Sequence, residues 1–238
     1  MEPNQGNFSE ESPRELAFRL GLQFSDYLLL SRALTHRSFL NEYPEAIEDN
    51  ERLEFLGDAV LDFLVGAWLY NRFPEMAEGA LTRLRSALVR TEQLADFAQA
   101  INLGNAMRLG RGEAGSGGRQ RLALLCATFE ALIGALYLDQ GVDAVMDFVE
   151  PLLESVADQI LASGRINDPK SQLQEWTQAR GLGAPTYRTV AAHGPDHNKT
   201  FEVEVIVGGR IHGNGIGNSK QSAAKAAAKA AMQSLGVI

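Results

Sequence analysis

LLCATFEALIGALYL, residues 124–138, limits the fold more than any other stretch of this chain, because it holds a single charge, Glu130. The apolar run around it, Leu122 to Leu138, spans 17 residues. That length is marginal for crossing a bilayer, and a carboxylate in mid-span makes crossing costlier. The run therefore reads as a core helix of a folded protein, with no membrane partner. A lone buried carboxylate is costly unless it is protonated, paired or bound to a metal. The rest of the sequence has to supply whichever of these applies.

Residues 11–162 read as successive helices. Apolar residues recur at three and four spacings, as in Leu53, Leu56, Val60 and Leu64, and in Leu81, Leu84 and Leu88. Asp49 and Asn50 are candidate caps for a helix starting near Glu51. GRGEAGSGGR (110–119) predicts a flexible loop before the apolar helix. The N-terminal residues show no basic segment followed by an apolar one, so no secretory signal is expected. Cys126 is the single cysteine, which excludes an internal disulfide. These features together predict a cytoplasmic protein.

The pattern changes at SGRINDPK (163–170), where Ser, Gly, Asn, Asp and Pro cluster as in a linker. A short helix, SQLQEWTQARG, follows. Then Phe201, Val203, Val205 and Val207 alternate with Glu202 and Glu204, predicting a strand. A further strand carries Ile211, and an Ala-rich helix closes the chain. The fold class is thus an all-α domain followed by a small α+β module in the order α-β-β-β-α. The expected limits are 12–160, a linker at 161–168, and 169–238. Charge divides the same way: a net of −11 over residues 1–166 and +3 from Asn167 onward. A mildly basic module on an acidic body is compatible with nucleic-acid binding by the module.

Three groups of acids stand out. In ERLEFLGDA (51–59), Glu51, Glu54 and Asp58 fall within about 60° on a helix. They could be a solvated face, but Leu61 and Val65 continue the same stripe, so the helix looks buried on both sides and its acids need partners. Glu130 could be a buried, protonated or paired carboxylate. Joined to Glu54 and Asp58, it makes a hard-oxygen site suited to Mg²⁺ or Mn²⁺. Glu78 sits where a helix begins, a favourable place for a negative charge.

ERLEFLGDA resembles the signature of the ribonuclease III family. ALTHRSF (33–39), FPEMAEGALTRLRSALV (73–89) and FEALIGALYLD (129–139) follow in that family's order and spacing. The tail resembles a double-stranded RNA-binding domain. The resemblance spans residues 12 to 236 and implies a homodimeric, divalent-metal-dependent endonuclease of double-stranded RNA, active in rRNA and mRNA processing, with no small-molecule cofactor. It implies cuts that leave 5′-phosphate and 3′-hydroxyl ends. By position, Glu54 and Glu130 match metal ligands, with Glu130 also catalytic. Asp58 matches an acid essential for hydrolysis, and Glu51 and Glu78 match acids that help at the cut site. The family places an Asp three residues before Glu130, where this chain has Ala127. A methyl group ligates nothing, which leaves open the alternative of an impaired or inactive RNA-binding protein of the same fold.

In the tail, the resemblance assigns Gln174 and Gln178 to minor-groove contacts, with Glu175 beside them. It assigns His197 to a loop that enters the next minor groove, and Lys220 to phosphate at a helix N-terminus. Lys225 and Lys229 extend the basic surface or are simply a solvated helix face. Gln221 stands where the family often has a second basic residue. Trp176 and Phe201 are expected in the core.

Overall fold

The computed structural model describes residues 11–43, 46, 48–162, 168–195 and 199–237. Two units emerge, Met1–Ala162 and Ser163–Ile238. The expected linker lies largely outside the described residues, as does His197.

The first unit is helical: α1 (Pro13–Leu20), α2 (Tyr27–Ala33), α3 (Arg37–Leu40), α4 (Glu51–Arg72), α5 (Glu78–Leu88), α6 (Thr91–Ala100), α7 (Arg111–Gly115) and α8 (Leu122–Ala162). The apolar run forms the first half of α8. Phe129, Ala131, Leu132, Ile133 and Ala135 are fully buried there, and α2, α4 and α6 pack around them. By length and composition α8 could cross a membrane, but 61% of its most apolar stretch is buried within this unit. The helix breaks at Gly141, whose φ of 85° and ψ of −170° are not helical. Just before the break, Asp139 accepts hydrogen bonds from the backbone N–H groups of Ser25 and Asp26 at 2.7 and 2.8 Å. Asp26 in turn caps α2. The motif FEALIGALYLD thus ends on a residue that ties α8 to the entry of α2.

α4 and α8 cross with their backbones nearly touching. A Cβ on Gly57 would lie 1.7 Å from the carbonyl oxygen of Glu130, and one on Gly134 would lie 2.3 Å from that of Leu53. Leu61 and Val65 are buried below this crossing, so the stripe that carries the acids runs into the core, while Glu51 and Asp58 themselves are exposed and Glu54 is half-buried. The two capping candidates divide the work at the start of α4. Asp49 Oδ1 accepts from the N–H of Glu51, while Asn50 turns inward and donates to the Ala33 carbonyl.

The loop expected at 110–119 carries the short helix α7. Specific anchors outweigh its Gly-rich composition. Glu42 accepts from the N–H of Arg111, Arg121 pairs with Glu113, and Arg119 donates to the carbonyls of Gly104 and Met107.

The second unit runs α9 (Pro169–Ala179), β1 (Thr186–His193), β2 (Thr200–Val207), β3 (Arg210–Gly217), α10 (Lys220–Ser234). The strands form an antiparallel sheet in the order β1-β2-β3. α10 packs on β2, β3 and α9. Val203, Val205 and Val207 meet Ala223, Ala227 and Ala231 in the core, with Phe201 half-buried at its edge. Gly213, Gly215 and Gly217 line the inner side of β3, where a Cβ would strike the backbone or Ser222 of α10. Trp176 is not in the core. Leu173 and Thr177, four residues apart, fill the inner side of α9, and Trp176 is half-exposed with the Arg180 guanidinium 4.1 Å above its ring.

Candidate active site

Glu51, Glu54, Phe55, Asp58 and Glu130 line one open depression of 580 Å³. The first four come from the opening turns of α4 and the last from the middle of α8. Their meeting follows from the crossing described above. Gly57 lies between Glu54 and Asp58 in sequence and lets α4 rest on the backbone at Glu130 itself.

The electrostatics are those of crowded like charges. Burial, then the charges of Asp58 and Glu54, push the Glu130 carboxyl up to about 7, against a lowering hydrogen bond from Cys126. Glu54 is also raised, first by burial and then by Glu51, Asp58 and Asp49. Cys126 is buried one helical turn before Glu130. Burial and the neighbouring Glu130 push its thiol up to about 12, which makes it an uncharged hydrogen-bond donor to that carboxylate.

Among the described residues, no three acidic, His or Cys side chains converge closely enough to hold an ion as they stand. Ala127, on the same helix three residues before Glu130, adds no oxygen. The donor chemistry nevertheless suits a hard divalent cation. All the polar lining groups are carboxylates, and the raised affinity of Glu54 and Glu130 for protons would be relieved by a positive charge placed between them.

Glu78 does not join this group. It is exposed at the start of α5, where its Oε1 accepts from the Thr82 hydroxyl at 3.1 Å. Sequence reading missed two groups at the site. One is Cys126, which a period-four spacing from Glu130 could have indicated. The other is Arg37, whose Nη1 lies 3.4 Å from Glu51 Oε1.

In the second unit, Gln174 and Gln178 are exposed on α9, four residues apart, with Glu175 exposed between them. Lys220 is the first residue of α10, whose N-terminus is closed by a reciprocal cap between Ser219 and Ser222. Lys225 is exposed and pairs with Asp168 at 3.7 Å, which links the beginnings of α9 and α10. Lys229 is exposed one turn further on.

Residues 26–156 match the family described as Ribonuclease-III-like, and residues 169–235 match the double-stranded RNA binding motif. Curated relatives include Ribonuclease 3 of a Roseiflexus species, 50% identical over 228 residues that cover 94% of this chain and 96% of the relative. Ribonuclease 3 1 of a Nostoc species is 50% identical over 218 residues, covering 90% and 95%. Among solved structures, the nuclease domain of ribonuclease III from Campylobacter jejuni matches with a TM-score of 0.54 and 39% identity, covering 60% of this chain and 93% of that one. A second structure of that domain, titled for flexibility in a region involved in dimer formation, matches with a TM-score of 0.54 and 40% identity, covering 59% and 94%.

Proposed function

The chain belongs to the ribonuclease III family, and from that premise we propose that it is a divalent-metal-dependent endoribonuclease that cuts double-stranded RNA in the cytoplasm during RNA processing. The observation that carries this reading is the gathering of Glu51, Glu54, Asp58 and Glu130 around one opening, in a chain whose other unit is a double-stranded RNA-binding domain. We take residues 12–160 as the nuclease domain and 169–238 as the binding domain. Glu54 and Glu130 would hold the cation, Mg²⁺ or Mn²⁺. That cation supplies Lewis-acid activation of water and neutralises charge on the phosphoryl oxygens. Glu130, whose carboxyl is pushed up to about 7, would hold the cation in its deprotonated form. Asp58, the charge that acts most strongly on Glu130, would act in the hydrolysis itself. Hydrolysis then leaves a 5′-phosphate and a 3′-hydroxyl. In the tail, Gln174, Gln178, Lys220 and Lys225 supply shape-reading and phosphate contacts.

The enzyme works as a homodimer. Phe55, Phe63 and Tyr70 are 80%, 66% and 73% exposed, and they lie within about 80° around α4. An apolar stripe of this kind next to the acids supports a second copy as its partner. Glu78, distant from its own pocket, then serves the shared cleft. The alternative of an inactive binding protein rests on Ala127 alone, and nothing in the relatives favours it.

The test is incubation of the purified chain with long duplex RNA and Mg²⁺ or Mn²⁺, with Glu130→Gln as control. Metal-dependent cutting to ends bearing 5′-phosphates, abolished in the control, is expected. Intact RNA with the unaltered chain in both metals would refute the reading.

A further inference from the structure

Arg37 is a cation that meets one acid of the pocket, Glu51. Among the described residues, Glu54, Asp58 and Glu130 have no ion-pair partner, whereas the Arg37 guanidinium lies 3.4 Å from Glu51. The backbone builds this neighbourhood. The Thr35 carbonyl accepts from the N–H of Asn50 at 2.9 Å, and the Asn50 side chain donates to Ala33. The N–H of His36 donates to the Arg108 carbonyl, and the His36 ring accepts from the N–H of Ser38. The segment THRSF is thereby fixed against the first turn of α4, with Arg37 projecting at the rim of the opening.

The contact with Glu51 is weak by both its measures. A distance of 3.4 Å is at the long end for a hydrogen bond, and the Arg37 side chain is 71% exposed. Exposed pairs of this kind contribute little to stability. A guanidinium carries five N–H donors in a planar fork, so most of them face solvent. Meanwhile the unit around it has a net charge of −11 over residues 1–166, and four of its carboxylates line the pocket that a phosphodiester must approach. A polyanion needs a cation at that rim, and the fork geometry matches phosphate oxygens in pairs.

We infer that Arg37 is a substrate-contacting residue, placed beside the pocket by the anchored THRSF segment in the free protein and donating to a backbone phosphate next to the cut when duplex RNA is bound. This rests on the ribonuclease reading for the word "cut", but the contact itself is measurable without cleavage. In the full chain carrying Glu130→Gln, Arg37→Gln should weaken binding of a duplex by about tenfold. It should also reduce the log–log salt slope by about 0.9, one phosphate contact on the duplex DNA scale. Arg37→Lys should restore the slope and part of the affinity. In the cleaving chain, Arg37→Gln should raise KM by a similar factor and leave kcat within about twofold. Arg14→Gln, which removes the same charge from α1, should change neither. An unchanged salt slope, a fall in kcat at constant KM, or a fall in melting temperature comparable with the loss of binding would each overturn the inference. If the unaltered chain cuts no RNA, the proposed function fails, while the binding series still decides the role of Arg37.

Discussion

Replacing Gly57 by Ala should destabilise the protein and disable the site, although the same change elsewhere on α4 should stabilise it. The new methyl carbon would lie 1.7 Å from the Glu130 carbonyl oxygen and 2.6 Å from its carbon. These are backbone atoms, with no rotamer that takes them out of the way. Reaching ordinary contact requires α4 and α8 to separate by about 1.5 Å. Overpacking on this scale belongs at the upper end of the usual range, about 3 kcal/mol. Ala is favoured over Gly inside a helix by about 1 kcal/mol, which offsets part of it. The net loss of about 2 kcal/mol corresponds to a fall in melting temperature of about 4–8 °C for a domain of this size. Gly66, on the same helix, is the internal control, since its Cβ would lie 3.8 Å from Arg85 Cδ, an ordinary contact. Gly66→Ala should therefore gain about 0.5–1 kcal/mol. Because the displaced carbonyl belongs to Glu130, Gly57→Ala should also slow cleavage by about 100-fold. Thermal melts and single-turnover cleavage of the two variants provide the comparison. If Gly57→Ala melts at or above the unaltered protein, the two helices are not held at this distance and the account of the site's geometry is wrong.

Three further outcomes follow from the site and the tail. Ala127→Asp should raise metal-dependent cleavage by orders of magnitude and enlarge the metal-induced rise in melting temperature, with RNA binding by the tail unchanged. Equal cleavage by the unaltered chain would show that Ala127 is no defect. The Glu130 carboxyl is raised from 4.5 to about 7, so between these values the folded state binds more protons than the unfolded state. Stability from this group is then fully present below about 4.5 and lost as pH rises through about 7. In chelator, Glu130→Gln should melt increasingly above the unaltered chain over that window, and a gap independent of pH would contradict the assignment. Lys220→Ala should weaken binding about equally for unrelated duplexes and reduce the salt slope. A loss confined to one sequence would exclude shape-based recognition.

The parts of this protein that were readable from its sequence are those set by side-chain period and type. Helical spacing located α4, the apolar run around Glu130 located the first half of α8, the alternation of Val203, Val205 and Val207 located β2, and the burial of Leu61 and Val65 on the same stripe carries the half-buried Glu54 toward the core while Asp58 stays exposed. What escaped was set by contacts between distant backbones. The significance of Arg37 depends on a hydrogen bond from Asn50 to Thr35 that places it near a residue fourteen positions on. The helix α7 depends on Glu42 and Arg119, and composition alone suggested a loop. Trp176 was expected in the core, yet the inward positions of α9 belong to Leu173 and Thr177.

The alternating glycines of β3 have a thermal consequence. With hydrogen atoms on one side and the methyl groups of Ala223, Ala227 and Ala231 on the other, the layer between β3 and α10 is thin, and close backbone approach replaces there the larger side chains that Val203, Val205 and Val207 supply from β2. Unfolding such a unit exposes less apolar surface per residue, so its heat-capacity increment should fall below the usual figure of about 12–15 cal/mol/K per residue. A small increment flattens the curve of stability against temperature. The RNA-binding unit should therefore keep a nearly constant margin of folding across a broad range, gaining little at its optimum and losing little in the cold.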